Sequence, residues 1–244
     1  MRKLAGLSAF VVVATLAAGG RAAVWNAAND FSATSNPNGA WSYGDYGGGG
    51  SSGTLDPTTF VRLPVQFSGA YGSIEGWEMP GPANPVVSHN SSLADTVGSF
   101  SDPTTYTTQW LPNEVALHPL DGPTAVRWTA PAAGEYQVSG DFFPTQGENA
   151  PANAYVYSDT TQEVQFLSVS STVSFSLLLD LNAGDTVDFV AWGDNAYNKT
   201  TGLDATIASV GAPPAVPEPA TLIVWSLLGG VGVASCWWRR PRAV

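Results

Sequence analysis

Three stretches of strict two-residue alternation constrain this chain more than any other feature of its sequence. Gly134–Phe143 places Tyr136, Val138, Gly140 and Phe142 on one side and Gln137, Ser139 and Asp141 on the other. Thr172–Leu181 repeats the pattern, with Val173, Phe175, Leu177, Leu179 and Leu181 opposite Ser174, Ser176 and Asp180. Asp185–Ala191 sets Val187, Phe189 and Ala191 against Asp188 and Val190. A helix would return apolar residues every three or four positions, whereas a period of two with one apolar face belongs to half-buried antiparallel strands. Weaker patterns predict further strands at Phe60–Phe67, Val115–Leu117, Ala125–Thr129, Ala154–Tyr157, Glu163–Val169 and Ala205–Val210.

Short linkers separate them, such as Ala130-Pro131-Ala132-Ala133-Gly134 and Asn182-Ala183-Gly184-Asp185, built from the residues tight turns need. With 26 glycines and 18 prolines and no sustained helical period, a bundle or coiled coil is excluded. Roughly six to ten short strands in about 150 residues indicate an all-β fold, an antiparallel two-sheet β-sandwich of jelly-roll type. Its N-terminal part reads as long loops: a turn at Asn36-Pro37-Asn38-Gly39, a Gly/Ser run over 47–53, and residues 68–105 with few apolar runs. Sheet order does not follow from the pattern, and no internal repeat is present.

Charge narrows the function. The net charge of −11 hides a division, because residues 23–215 hold three basic residues against nineteen acids, a net −16. Such a body does not bind nucleic acid, which requires Lys and Arg against phosphate. A single cysteine excludes an internal disulfide framework and any Cys-rich zinc module. Neutral polymers, or anionic ones bridged by Ca²⁺, are the compatible partners.

The cations sit at the ends. Arg2 and Lys3 precede an apolar Leu4–Ala18 run and the small-x-small Gly20-Arg21-Ala22, the layout of a signal peptide over 1–22 with cleavage after Ala22, or alternatively after Ala23. Residues 212–215 form a linker. From 216 the chain reads Val-Pro-Glu-Pro-Ala-Thr, an uncharged apolar run over 222–238, then Arg239, Arg240 and Arg242. As a transmembrane helix, 222–238 would span about 25 Å at ~1.5 Å per residue, and the arginines would stay cytoplasmic.

Pro217, Glu218 and Pro219, the apolar span and the terminal arginines together resemble the PEP-CTERM sorting signal of bacterial exported proteins, a region also named the ice-binding protein C-terminal domain. The resemblance covers roughly the last 30 residues. It implies that the chain is the substrate of an exosortase-type processing enzyme. The precursor would be anchored in the inner membrane, and the product released to the cell envelope surface or extracellular matrix. Segments 36–44, 117–119, 126–136 and 184–189 resemble a domain recurrent in exported PEP-CTERM proteins and similar to carbohydrate-binding jelly rolls, which implies a fold rather than a transferable site.

Within the body, Trp192-Gly193-Asp194-Asn195-Ala196-Tyr197 brings aromatic faces beside amide and carboxylate groups, the chemistry a sugar ring requires. Trp192, Asp194, Asn195 and Tyr197 are therefore candidate ligand residues, and His118, before Pro119, is read separately as a ligand-contacting loop histidine or, alternatively, as one that caps a strand end by hydrogen bonding. Asp194 and Asp204 are also oxygen donors for a structural Ca²⁺, the one cofactor considered. The alternative for this segment is an ordinary turn beside a core tryptophan. Neither His89 nor His118 belongs to a zinc-ligand pair, and the chain has no Gly-x-Ser-x-Gly elbow or Walker loop. Carboxylates could pair as in a glycosidase, for example Glu75 with Glu78 or Glu135 with Asp141. Arg127, one of three cations in the body, is expected to pair with an acid.

These readings converge on an exported, non-enzymatic surface or matrix protein that touches glycans. A secreted polysaccharide-degrading enzyme using a carboxylate pair is the alternative.

Overall fold

The computed structural model describes residues 22–47, 55–81, 85–100, 106–120, 122–145, 152–193 and 199–211. The predicted signal peptide but for Ala22, the linker and the sorting tail lie outside these residues, Pro217, Glu218, Pro219, Arg239, Arg240 and Arg242 included. No helix among the described residues is long and apolar enough to cross a membrane.

Sixteen strands are present among the described residues. In chain order they are β1 (Val24–Asn26), β2 (Trp41–Tyr46), β3 (Phe60–Arg62), β4 (Val65–Ala70), β5 (Ile74–Glu78), β6 (Val86–Asn90), β7 (Thr96–Phe100) and β8 (Tyr106–Trp110). Then come β9 (Val115–His118), β10 (Thr124–Thr129), β11 (Gly134–Pro144), β12 (Asn153–Ser158), β13 (Thr161–Phe166), β14 (Val173–Leu181), β15 (Thr186–Trp192) and β16 (Thr201–Val210). One sheet runs β14-β11-β16-β9-β6-β5-β4, with β1 also paired to β16; the second runs β13-β12-β15-β10-β2-β3; β7 and β8 form a separate ribbon. Every pairing is antiparallel.

The two large sheets share one core, as the alternation demands. Val138, Phe142, Phe175, Leu203 and Ile207 from the first meet Trp41, Tyr43, Val126, Trp128, Val187 and Phe189 from the second. Rings bridge the layers, Trp128 to Tyr136 at 5.0 Å between centroids and Phe175 to Phe189 at 5.6 Å. The architecture is the expected antiparallel sandwich and fits the jelly-roll type.

Several local expectations are corrected. Residues 68–105 are not long loops, since β5, β6 and β7 lie within them. Polar groups are buried in them beside Ile74, Trp77 and Val87: Asn90 is fully buried, and its Nδ2 donates to the carbonyls of Ala94, Trp110 and Leu111. Hydrogen bonds rather than an apolar run hold that strand in place. The single strand expected over 60–67 divides at Leu63-Pro64, where proline offers no N–H to a ladder, and β3 and β4 enter different sheets. β13 starts and stops earlier than the expected 163–169, with Ser168 at φ +55 beyond its end. The predicted solvent face of β15 is buried as well, Asp188 being 1% exposed.

Candidate functional site

The long strand β16 exchanges neighbours along one edge. On one side β11 pairs with all of it, from Thr201↔Pro144 to Val210↔Glu135. On the other, β9 covers residues 201–203 and β1 covers 206–208. Asp204 stands at the seam between them.

Register fixes what surrounds it. Asp141 of β11 is directly opposite Asp204. The β9 ladder ends at Leu203↔Val115, so one further step brings Glu114 beside Asp204 from the other flank. Leu203, Val115 and Phe142 point into the core, so their neighbours Asp204, Glu114 and Asp141 share the outer face. With neighbouring strands about 4.8 Å apart, the three acids form one row across the sheet.

These acids line an open cleft of about 440 Å³ together with Asn26, Asn29, Asn113, Leu111, Phe143 and Leu203. Ser174 Oγ donates to Asp141, while Asn26 Nδ2 reaches Asp204 Oδ1 at 3.4 Å and Thr206 Oγ1 at 3.0 Å. Across the rim Asn113 Nδ2 donates to Asn29 Oδ1 at 2.9 Å. Asn113 takes the left-handed conformation at φ +55 that asparagine tolerates. Its Oδ1 meets His89 Nε2 at 3.0 Å, and His89 is braced by Glu75 at 3.3 Å and by the stacked Phe31 ring at 4.7 Å.

Glu114 differs from its neighbours. It is 5% exposed; Oε2 accepts the Leu111 N–H at 2.6 Å, and Oε1 is buried without a hydrogen-bond partner. Burial pushes its carboxyl up to about 8, opposed by the Leu111 bond and assisted by Asp95. Near neutrality it holds a proton. A row of acids and amides beside Leu111 and Phe143 matches an uncharged polyhydroxylated molecule, with apolar surface for C–H faces and donors and acceptors for hydroxyls.

A second hollow of about 530 Å³ adjoins the first through Asn29 and is lined by Trp25, Asp30, Phe31, Asn38 and Trp41.

Of the ligand and metal candidates singled out in the sequence, Asp204 lines the cleft, and the others fall elsewhere or outside the described residues. Asp194, Asn195 and Tyr197 lie outside the described residues. Trp192 is 7% exposed and packs with Tyr46, Tyr155, Tyr157 and Val190 on the outer side of the second sheet, so its faces are occupied. His118 ends β9 with its Nδ1 on Thr200 Oγ1, and burial pulls its ring down to about 4, leaving it neutral. Asp204 is exposed and belongs to the cleft, where its observed partner is Asn26. Among the described residues no group of three His, Cys, Asp or Glu is placed to hold a metal ion. Glu75 is turned to His89 while Glu78 pairs with Val65, and Glu135 lies six residues, about 20 Å, from Asp141 along β11. Neither suggested acid pair forms.

Glu114, Asn26, Asn29 and Asn113 were not anticipated. Asp141 was visible on the polar face of a predicted strand, but only the pairing register brings it to Asp204 and Glu114.

No protein-family model matches the chain, and no curated protein does. Solved structures similar to it include the CBM36-1 domain of a multidomain xylanase from the hindgut metagenome of Trinervitermes trinervoides, at 14% identity over 53% of this chain and 100% of that one, with a TM-score of 0.30. A family 35 carbohydrate binding module from Clostridium thermocellum matches at 15% identity over 52% and 98%, TM-score 0.26. Rabbit GITRL matches at 17% identity over 36% and 73%, TM-score 0.27. Likeness at this level does not carry over what those proteins bind.

Proposed function

We propose that this chain is an exported, non-enzymatic β-sandwich protein of the cell surface or extracellular matrix that binds neutral glycans in the cleft at the β9–β1 seam. The observation that carries the reading is the row Glu114, Asp204 and Asp141, flanked by Asn26, Asn29 and Asn113, beside the apolar surface of Leu111 and Phe143. The acidic body favours uncharged polymers over anionic ones. Export and sorting rest on the basic-apolar-small N-terminus and on the resemblance of 216–244 to a PEP-CTERM signal.

A glycan array followed by calorimetry on the exported chain tests the binding reading. Binding of a neutral polysaccharide that is weakened by Asn29→Ala together with Asn113→Ala supports it; no binding, or binding indifferent to those changes, sinks it. Sorting is tested apart from this. Alanines at Pro217, Glu218 and Pro219 should leave the tail attached, and normal processing of that variant would rule the sorting role out.

One observation favours hydrolysis as the second reading. A buried carboxyl that keeps its proton near neutrality, in one cleft with other acids, is what a glycosidase uses as its general acid. Release of reducing ends from a bound polysaccharide, abolished in Glu114→Gln, would replace the binding reading with this one.

A further inference from the structure

The two hollows differ in chemistry and meet at one residue. The first, of about 440 Å³, lies over Asp141, Asp204 and Asn26 on the outer face of the first sheet. The second, of about 530 Å³, lies at the edge of the sandwich, lined by β1 of the first sheet and by Ala40 and Trp41 at the start of β2 in the second. Asn29, in the turn closed by the Asp30 N–H on the Asn26 carbonyl, lines both. Its side chain is exposed, with Oδ1 accepting from Asn113 Nδ2 and Nδ2 without a partner among the described residues.

Trp25 gives the second hollow its character. Register sets it opposite Ile207, a core residue, so its ring leans inward and meets Trp128 and Tyr136 at 64° and 54° between planes. The ring is only half-buried, and it borders the hollow together with Asp30 and Asn38. Those two are fixed in place: Asp30 Oδ2 accepts the Asn26 N–H at 2.9 Å and Trp41 Nε1–H at 3.2 Å, and Asn38 Nδ2 donates to the Asp30 carbonyl at 2.9 Å. An aromatic ring beside a held carboxylate and amide suits a sugar, whose C–H groups rest on the ring while its hydroxyls meet the polar groups.

We infer, resting on the glycan-binding reading, that the two hollows are successive subsites for one linear neutral glycan, which crosses Asn29 and sets a sugar ring against Trp25. Each hollow alone falls in the ~300–1,000 Å³ range of a complete small-ligand site. The path from Asp141 across β16 to β1 covers two strand spacings, about 10 Å, before the second hollow begins. A single sugar ring is shorter than that path, so a monosaccharide engages one hollow at a time. A chain held in one hollow presents its next residues to the other at high effective concentration, so affinity grows with chain length until both are filled.

The test uses the full chain in detergent, titrated calorimetrically with β-1,4-linked gluco-, manno- and xylo-oligosaccharides, each as the disaccharide and the hexasaccharide. In the series that binds, the hexasaccharide should bind about tenfold or more tightly than the disaccharide. Trp25→Ala should remove that gain and leave disaccharide binding unchanged, while Trp25→Phe, which keeps an aromatic ring, should retain most of it. Trp25 also packs on the core, so circular dichroism checks the fold of the alanine variant. Deuterium exchange on the parent needs no variant: the hexasaccharide should slow exchange over residues 38–41 and 111–114, and the disaccharide over 111–114 alone. If the two lengths bind equally, if folded Trp25→Ala keeps the gain, or if exchange over 38–41 ignores the hexasaccharide, the second subsite is wrong while the cleft reading stands. If no probe binds at either length, the cleft reading fails and this inference with it.

Discussion

Arg127 and Asp188 face each other across β10 and β15 and meet through two charge-assisted hydrogen bonds, Nε to Oδ1 and Nη2 to Oδ2, each 2.7 Å long. Tyr46 donates a third bond to Asp188 Oδ2 at 2.8 Å, Nη2 also reaches the Pro57 carbonyl at 2.8 Å, and the guanidinium lies 4.0 Å from the Phe60 ring centroid. Burial pushes the Asp188 carboxyl up, and Arg127 and Tyr46 oppose it. This cluster lies on the outer side of the second sheet, level with Tyr157 and below Tyr155 and Trp192 along the strands, and clamps β2, β10 and β15 together.

Removing one partner of such a pair leaves the other buried and unpaired. Asp188→Ala should therefore lower stability by about 3–5 kcal/mol, read as a shift of the urea midpoint. Replacing both, as in Arg127→Met with Asp188→Leu, should recover most of that loss. Equal losses in the single and double variants would show that the pair is not what holds the strands.

The paired acid for Arg127 was legible in the sequence because only three cations are available to nineteen carboxylates in the body. Its identity was not, since Asp188 sits on the polar side of an alternating strand that the tertiary structure covers. The same limit applies to the cleft. The alternation in 134–143 and 172–181 revealed β11 and β14 and the inward face of each. The row of Glu114, Asp204 and Asp141 arises from register between strands far apart in the chain, and a period within one strand holds no information on its neighbour's offset. β5 and β6 were missed because the buried residues of β6 include Ser88, His89 and Asn90, held by hydrogen bonds rather than announced by apolar patterning, and β5 is broken by Gly76.

Gly140 supplies a test of how tightly the cleft wall is built. A Cβ at this position would lie 2.0 Å from the Asp204 carbonyl oxygen and 3.0 Å from the Ala205 Cα, both of them backbone atoms of the paired strand. Gly140→Ala must push β11 from β16. We expect a loss on the order of 2–4 kcal/mol, measured by thermal unfolding, and weaker ligand binding because Asp141 and Asp204 move apart. A variant as stable as the parent would mean the β11–β16 contact is looser than described.

His118 gives the protein an acid-sensitive limb. Burial lowers its folded pKa to about 4 from the ordinary 6.5, so between these values the unfolded chain binds the extra proton and the folded chain does not. Its contribution is present above about pH 6.5 and is lost as pH falls toward 4. His118→Gln, which keeps a polar group near Thr200, should flatten the fall in urea-unfolding free energy over that window. A fall as steep as in the parent would assign the acid limb to other groups.

Glu114 acts with the opposite sign. Its folded pKa of about 8 lies above the ordinary 4.5, so between the two the folded state holds a proton that the unfolded state has released. Stability is therefore greatest on this account below about pH 4.5, declines as pH rises, and levels off above about 8. Over the whole window the loss is on the order of 5 kcal/mol, enough to show in urea midpoints at half-unit pH intervals. Glu114→Gln has no proton to release, so it should match the parent at low pH and exceed it at high pH. The difference should open between about pH 5 and 8 rather than at a single pH. If the two unfolding curves run parallel across the window, the carboxyl is not held protonated in the fold.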